Sequence, residues 1–211
     1  MAIICPTVTA ATPHEFRQQM ERISSFAERI HIDLADGVFT DNKLIDLDLV
    51  WWPAGLRADL HLMYETIRPY TTHIVKLKPH MVIVQAESVG NFYEVTRPLK
   101  KAGIKVGVAV LAHTSIETIR PALQDIDHVL VFSGNLGHFG GKADLELLSK
   151  VQQVLAINAE VEIGWDGGIN IENAKQLFDG GVEVFNTGGA IQRAAHPQKA
   201  YATLEKMVGI R

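Results

Sequence analysis

Polar and apolar positions alternate most clearly along Arg29-Ile30-His31-Ile32-Asp33-Leu34-Ala35-Asp36-Gly37. A strand with this period sends Ile30, Ile32 and Leu34 to one side and the imidazole of His31 and carboxylate of Asp33 to the other. Asp36-Gly37 breaks the strand just past that polar pair. Short apolar runs at 2–5, 29–34, 57–62, 81–84, 104–111, 126–132, 161–165 and 182–186 predict eight strands. Between them the period lengthens. Phe16, Met20, Ile23 and Phe26 form one stripe on a predicted helix from about 14 to 28. Further helices are predicted near 65–72, 88–102, 115–124, 143–156, 170–179 and 191–208, with Gly103 capping the helix at 88–102 and Thr114-Ser115 opening the one at 115–124. The segment 37–50 reads as a short helix or packed loop, and 73–77 as an apolar run.

Eight strand-helix pairs without a linker predict one domain over 1–211, an α/β protein with a (β/α)8 TIM-barrel fold. The competing fold is an open doubly wound sheet. Its usual mark is a glycine-rich turn after the first strand, and that turn here is Pro6-Thr7-Val8-Thr9-Ala10. A closed barrel also explains why polar groups recur at the C-terminal ends of distant strands, because only closure aims all those ends at one mouth.

Composition narrows the partners. The 211 residues carry a formal net charge of -4, and no Lys/Arg run is longer than Lys100-Lys101, so nucleic acid is excluded as an expected partner. No apolar run reaches membrane-spanning length and no signal-peptide pattern is visible, which predicts a cytoplasmic protein without membrane association. Cys5 is the single cysteine. It sits in an apolar strand with no activating partner and reads as a packed thiol.

His31, Asp33, His61 and Asp166 form a two-histidine, two-carboxylate set at strand ends, suited to zinc, iron, manganese or cobalt better than to calcium. Each histidine alone fits an ordinary hydrogen-bonded role, but a carboxylate between apolar neighbours is costly unless paired or metal-bound. Two carboxylates flanking a small ligand can remove a proton from one face and return it from the other, so the set suits enolisation. Asp166-Gly167-Gly168 and Thr187-Gly188-Gly189-Ala190 each precede a helix, where backbone amides can cradle phosphate, although both also suit plain tight turns. Gly134, Gly137, Gly140 and Gly141 would let the sixth loop cover the site, with His138, Phe139 and Lys142 facing substrate or solvent.

These residues, in this order, resemble the ribulose-phosphate 3-epimerase family of phosphate-binding (β/α)8 barrels over essentially the full length. The matching motifs are His31, Asp33, Asp36, Gly37, Phe39 and Asn42, then His61-Leu62-Met63, then Asp166-Gly167-Gly168. The resemblance implies one divalent cation per subunit on His31, Asp33, His61 and Asp166, zinc favoured and manganese, iron or cobalt suitable. It also implies that Asp33 and Asp166 are the acid/base pair inverting C3 of a pentulose 5-phosphate through a cis-enediolate. Thr7 matches a substrate-approaching serine, and Gly188 and Gly189 match the phosphate loop. Met63, Gly137, Phe139, Gly140, Gly141, Gly167 and Gly168 complete the implied substrate contacts, with His61. A homo-oligomer is expected.

The chain departs from the family pattern around this set. Val38, Asp41, Ala35, Phe132 and Leu111-Ala112 replace a histidine, a proline, two methionines and an Asn-Pro, and the sixth loop reads Asn135-Leu136-Gly137-His138-Phe139-Gly140-Gly141-Lys142. The alternatives are an epimerase for another ketose phosphate, a sugar-phosphate lyase or decarboxylase, and an inactive sugar-phosphate-binding barrel. A lyase would more naturally carry a lysine in the third-strand cluster, where Asp59-Leu60-His61 has none.

Overall fold

The computed structural model describes residues 2–138 and 140–209. Eight parallel strands close into a barrel in sequence order: β1 (Ile3–Val8), β2 (Arg29–Ala35), β3 (Arg57–Met63), β4 (Met81–Gln85), β5 (Lys105–Val110), β6 (His128–Phe132), β7 (Glu162–Asp166) and β8 (Val184–Thr187), with β8 pairing back on β1. The helices α1 (Pro13–Ile23), α2 (Thr71–Leu77), α3 (Phe92–Lys101), α4 (Leu148–Ile157), α5 (Ala174–Asp179), α6 (Gly189–Gln192) and α7 (Pro197–Met207) connect them.

The period-two alternation separates two apolar layers. Ile30, Ile32, Leu34, Leu60, Leu62, Val82, Val129 and Val131 belong to the large core shared with the helices. Met81, Ile83, Ala109 and Leu130, the alternate positions, form a separate small core that fills the barrel. That filling leaves the strands' C-terminal ends as the place for polar chemistry.

Several connections differ from the expected helices. The predicted helix at 115–124 is two 3-10 turns, Ile116–Thr118 and Arg120–Ala122. Its start signal is real, since Ser115 Oγ accepts from Glu117 N. Pro121 then removes a donor in mid-segment and leaves too few residues on either side for an α-helical nucleus. The helix expected near 65–72 starts later, at Thr71 after a 3-10 turn over Arg68–Tyr70, and takes in the apolar run 73–77. The helix expected over 191–208 is divided into α6 and α7, because Pro197 begins a new helix at its first turn. The Gly103 cap is present: at φ +76° it lets Ile104 N donate to Leu99 O at 3.0 Å.

At the barrel's other end lies a buried ionic network with no sequence motif. Arg29 forks onto Glu162 with two 2.8 Å bonds and donates to Asp59 Oδ2 at 2.6 Å, and His128 Nδ1 lies 2.8 Å from Glu162 Oε2. Gly164 makes room for it, since a Cβ there would stand 2.4 Å from His128 Nε2.

Candidate active site

Parallel register brings the expected polar set together. Asp33 pairs with His61 across β2 and β3, while Asp166 ends β7 on the far side of the barrel mouth. One ligand-capable atom from each of His31, Asp33, His61 and Asp166 lies within 4.8 Å of the others, and all four residues are buried. His31 Nε2 is 3.2 Å from Asp33 Oδ1 and 3.4 Å from Asp166 Oδ2, and His61 Nδ1 is 3.0 Å from Asp33 Oδ1.

The cluster is underpaired internally. Neither ring nitrogen of His31 is aligned for a hydrogen bond, and Asp166 Oδ2 has no partner. Burying such atoms unpaired is unfavourable, and a cation among two imidazoles and two carboxylates would satisfy them together, so this donor set fits a divalent metal. Neighbours hold the clustered side chains in place: Thr9 Oγ1 donates to Asp33 Oδ2 at 2.6 Å, and the Gln85 amide lies 2.8 Å from His61 Nε2.

The two carboxylates are driven apart in acidity. Burial raises Asp33, but contacts with His31 and His61 outweigh it and hold the group below the ordinary carboxylate range. Asp166 is pushed well above that range by burial and then by the negative charge of Asp33. Burial lowers His31, which favours the neutral ring that binds a metal. The two carboxyls facing the same space therefore differ in acidity, Asp33 the more readily ionised and Asp166 the more readily protonated.

That space is a cavity of about 300 Å³ lined by Thr7, Asp33, Phe132 and Asp166 and rimmed by Gly137, Gly140, Gly141, Gly167, Gly168, Gly188 and Gly189. His61 and Met63 are not in its lining. His61 supports Asp33 from the side, and Met63 packs with Ala35 and Leu44 against Phe39 and Leu136. Phe139 lies outside the described residues. Gly167 and Gly168 also have a packing role. At φ +109° and +70°, their missing Cβ atoms would fall 2.2 Å from Gly134 N and 2.1 Å from Ala143 N. The sixth loop thus sits directly on the seventh, and Asn42 Nδ2 pins it from the other side by donating to Gly137 O at 2.6 Å.

Thr9, Asn186 and Arg193 also line the cavity. Sequence reasoning missed them. Thr9 and Arg193 stand outside any motif, but Asn186 carried a signal: it is a lone amide in the apolar run Val184-Phe185-Asn186, the same anomaly that singled out Asp33.

The model of the ribulose-phosphate 3 epimerase family matches residues 3–192, which include all four clustered residues. The chain belongs to that family. It is 30% identical to the ribulose-phosphate 3-epimerase of Mycobacterium leprae (strain TN), across 98% of this chain and 95% of that protein. It is 27% identical to the ribulose-phosphate 3-epimerase of Helicobacter pylori (strain ATCC 700392 / 26695), across 97% of each. Among solved structures, 3-hexulose-6-phosphate synthase from Salmonella typhimurium superposes with a TM-score of 0.73 at 15% identity, covering 98% of both chains. The 3-keto-L-gulonate-6-phosphate decarboxylase from Vibrio cholerae O1 biovar El Tor gives 0.75 at 12% identity, covering 98% of this chain and 97% of that one. Those structures share the barrel. The ribulose-phosphate 3-epimerase relatives are similar in sequence as well, and membership of their family makes this chain an isomerase.

Proposed function

We propose that the protein epimerises C3 of a pentulose 5-phosphate, interconverting D-ribulose 5-phosphate and D-xylulose 5-phosphate. The observation that carries this reading is the pair Asp33 and Asp166, facing one cavity with opposite preferences for the proton. A ketose held between them has an acidic C3 hydrogen because C2 is a carbonyl. Ionised Asp33 takes that proton from one face, and protonated Asp166 returns one to the other face of the resulting enediolate, with roles exchanged for the reverse reaction. A divalent cation on His31, Asp33, His61 and Asp166, zinc favoured with manganese, iron or cobalt as substitutes, would supply charge neutralisation for the enediolate oxygens.

The remaining cavity residues position the substrate. Thr7 Oγ1 is buried and unpaired in the wall, ready to meet a sugar oxygen. The glycine turns Gly167-Gly168 and Gly188-Gly189, with Arg193 beside them, suit the phosphate. Gly137, Gly140 and Gly141 rim the cavity from the sixth loop, and Met63 acts from beneath by supporting that loop through Leu136. Among the described residues lining the cavity there is no lysine, which argues against the lyase alternative.

The test is a coupled assay with D-ribulose 5-phosphate, using metal-free protein restored separately with zinc, manganese, iron and cobalt. Metal-restored formation of xylulose 5-phosphate is expected. In the same assay, Asp33→Asn and Asp166→Asn should each lower turnover by roughly a hundredfold or more while circular dichroism stays native. Near-full turnover in both variants would overturn the two-carboxylate mechanism.

A further inference from the structure

Asn186 stands on β8 in the wall of the cavity, 2% exposed, and neither its Oδ1 nor its Nδ2 has a hydrogen-bond partner. An amide offers two donors and an acceptor, and burying all of them unpaired is unfavourable, whereas an apolar side chain of similar size would fill the position without that cost. The amide therefore calls for a polar group that arrives from the cavity. Its surroundings narrow what that group is. Asn186 is in register with Asp166 on β7, so it lies beside the reacting centre. Gly188, at the proposed phosphate end, comes two residues later, and two strand residues cover about 6–7 Å. On the adjacent strand β1, Thr7 offers a second buried and unpaired oxygen to the same wall.

We infer that Asn186 is a specificity-determining contact for the substrate hydroxyl on the carbon between the reacting centre and the phosphate ester, which is C4 of a ketopentose 5-phosphate. The inference rests on the sugar-phosphate reading of the cavity. A hydroxyl both donates and accepts, so Oδ1 and Nδ2 together can satisfy it. A ligand lacking that hydroxyl would leave the amide without a partner, and discrimination follows from that loss.

Binding is measured by calorimetry with D-ribitol 5-phosphate, which has no carbonyl and cannot be turned over, and with its 4-deoxy counterpart. Wild type is expected to bind the first at least tenfold more tightly. Asn186→Leu should bind both equally, at the weaker level, and its ligand-free melting temperature should not fall, because the substitution removes unpaired polar atoms. Asn186→Ala provides the same comparison with a smaller side chain, should leucine disturb folding. Discrimination that survives in a folded variant, its absence from wild type, or failure of wild type to bind either compound would overturn the inference. Absence of epimerase turnover alongside the expected binding pattern would sink the proposed reaction and leave this contact standing.

Discussion

Gln85 shows how a single residue controls the polar cluster. Its amide lies 2.8 Å from His61 Nε2, while His61 Nδ1 faces Asp33. A histidine that gives Nδ1 to a metal carries its proton on Nε2 and needs an acceptor there, and an amide provides one by turning its oxygen to the ring. Gln85→Leu is expected to weaken retention of zinc by about ten- to a hundredfold in a chelator competition, with the fold intact. Unchanged retention would show that Gln85 only fills space. His31→Ala and His61→Ala should each lower metal content further, since each removes one of the four donors that could hold the ion.

The strand-helix turns around the mouth separate two demands on glycine at the scale of the element. Gly168 has φ +70° and its Cβ would overlap the backbone at Ala143, so Gly168→Ala should cost on the order of 2–4 kcal/mol in urea unfolding and displace the sixth loop. Gly189 opens α6 and would place a Cβ in open space. Gly189→Ala should therefore leave stability within about 0.5 kcal/mol of wild type. Equal losses in the two variants would contradict the loop packing. The doublets Gly167-Gly168 and Gly188-Gly189 look alike in the sequence, and their difference comes from what packs on them. Elements with a local cause were legible: the alternation at β2, the Phe16, Met20 and Ile23 stripe of α1, the Gly103 cap. The connection after β5 was not, because Pro121 falls inside a pattern that otherwise reads as helical.

For the molecule as a whole, the ionic network at the far end of the barrel ties β2, β3, β6 and β7 across the interior. Arg29→Met should cost about 3–5 kcal/mol, because it leaves the buried Asp59 and the half-buried Glu162 without their counter-ion. The network also gives stability a pH dependence. Burial raises Glu162, but its bonds to Arg29 and His128 outweigh this and hold it below its ordinary value of 4.5. A depressed folded-state value means that this contribution is fully present above about pH 4.5 and is lost as pH falls further. Asp59, raised to about 6 by burial despite Arg29, works in the opposite sense, stabilising as it protonates on the way down from pH 6. Unfolding followed from pH 7 to pH 3 should thus show the steep loss only below about pH 4.5, and Glu162→Gln should flatten it. A steep loss that survives in that variant would assign the acid sensitivity elsewhere.

The sequence by itself determined the barrel, the four clustered residues and their chemical class. Strand period and residue type are local properties: His31 and Asp33 share one face of β2, His61 lies two residues before the end of β3, and Asp166 ends β7. Closure then decided what no local pattern carries. It set Asp166 against His31 across the mouth, made Asp33 and Asp166 unequal through burial and mutual repulsion, left Asn186 unpaired in the wall, and joined Arg29 to Asp59 and Glu162 at the opposite end. Each of these depends on which strands become neighbours and how deeply a side chain is enclosed, and both are settled only when β8 pairs with β1.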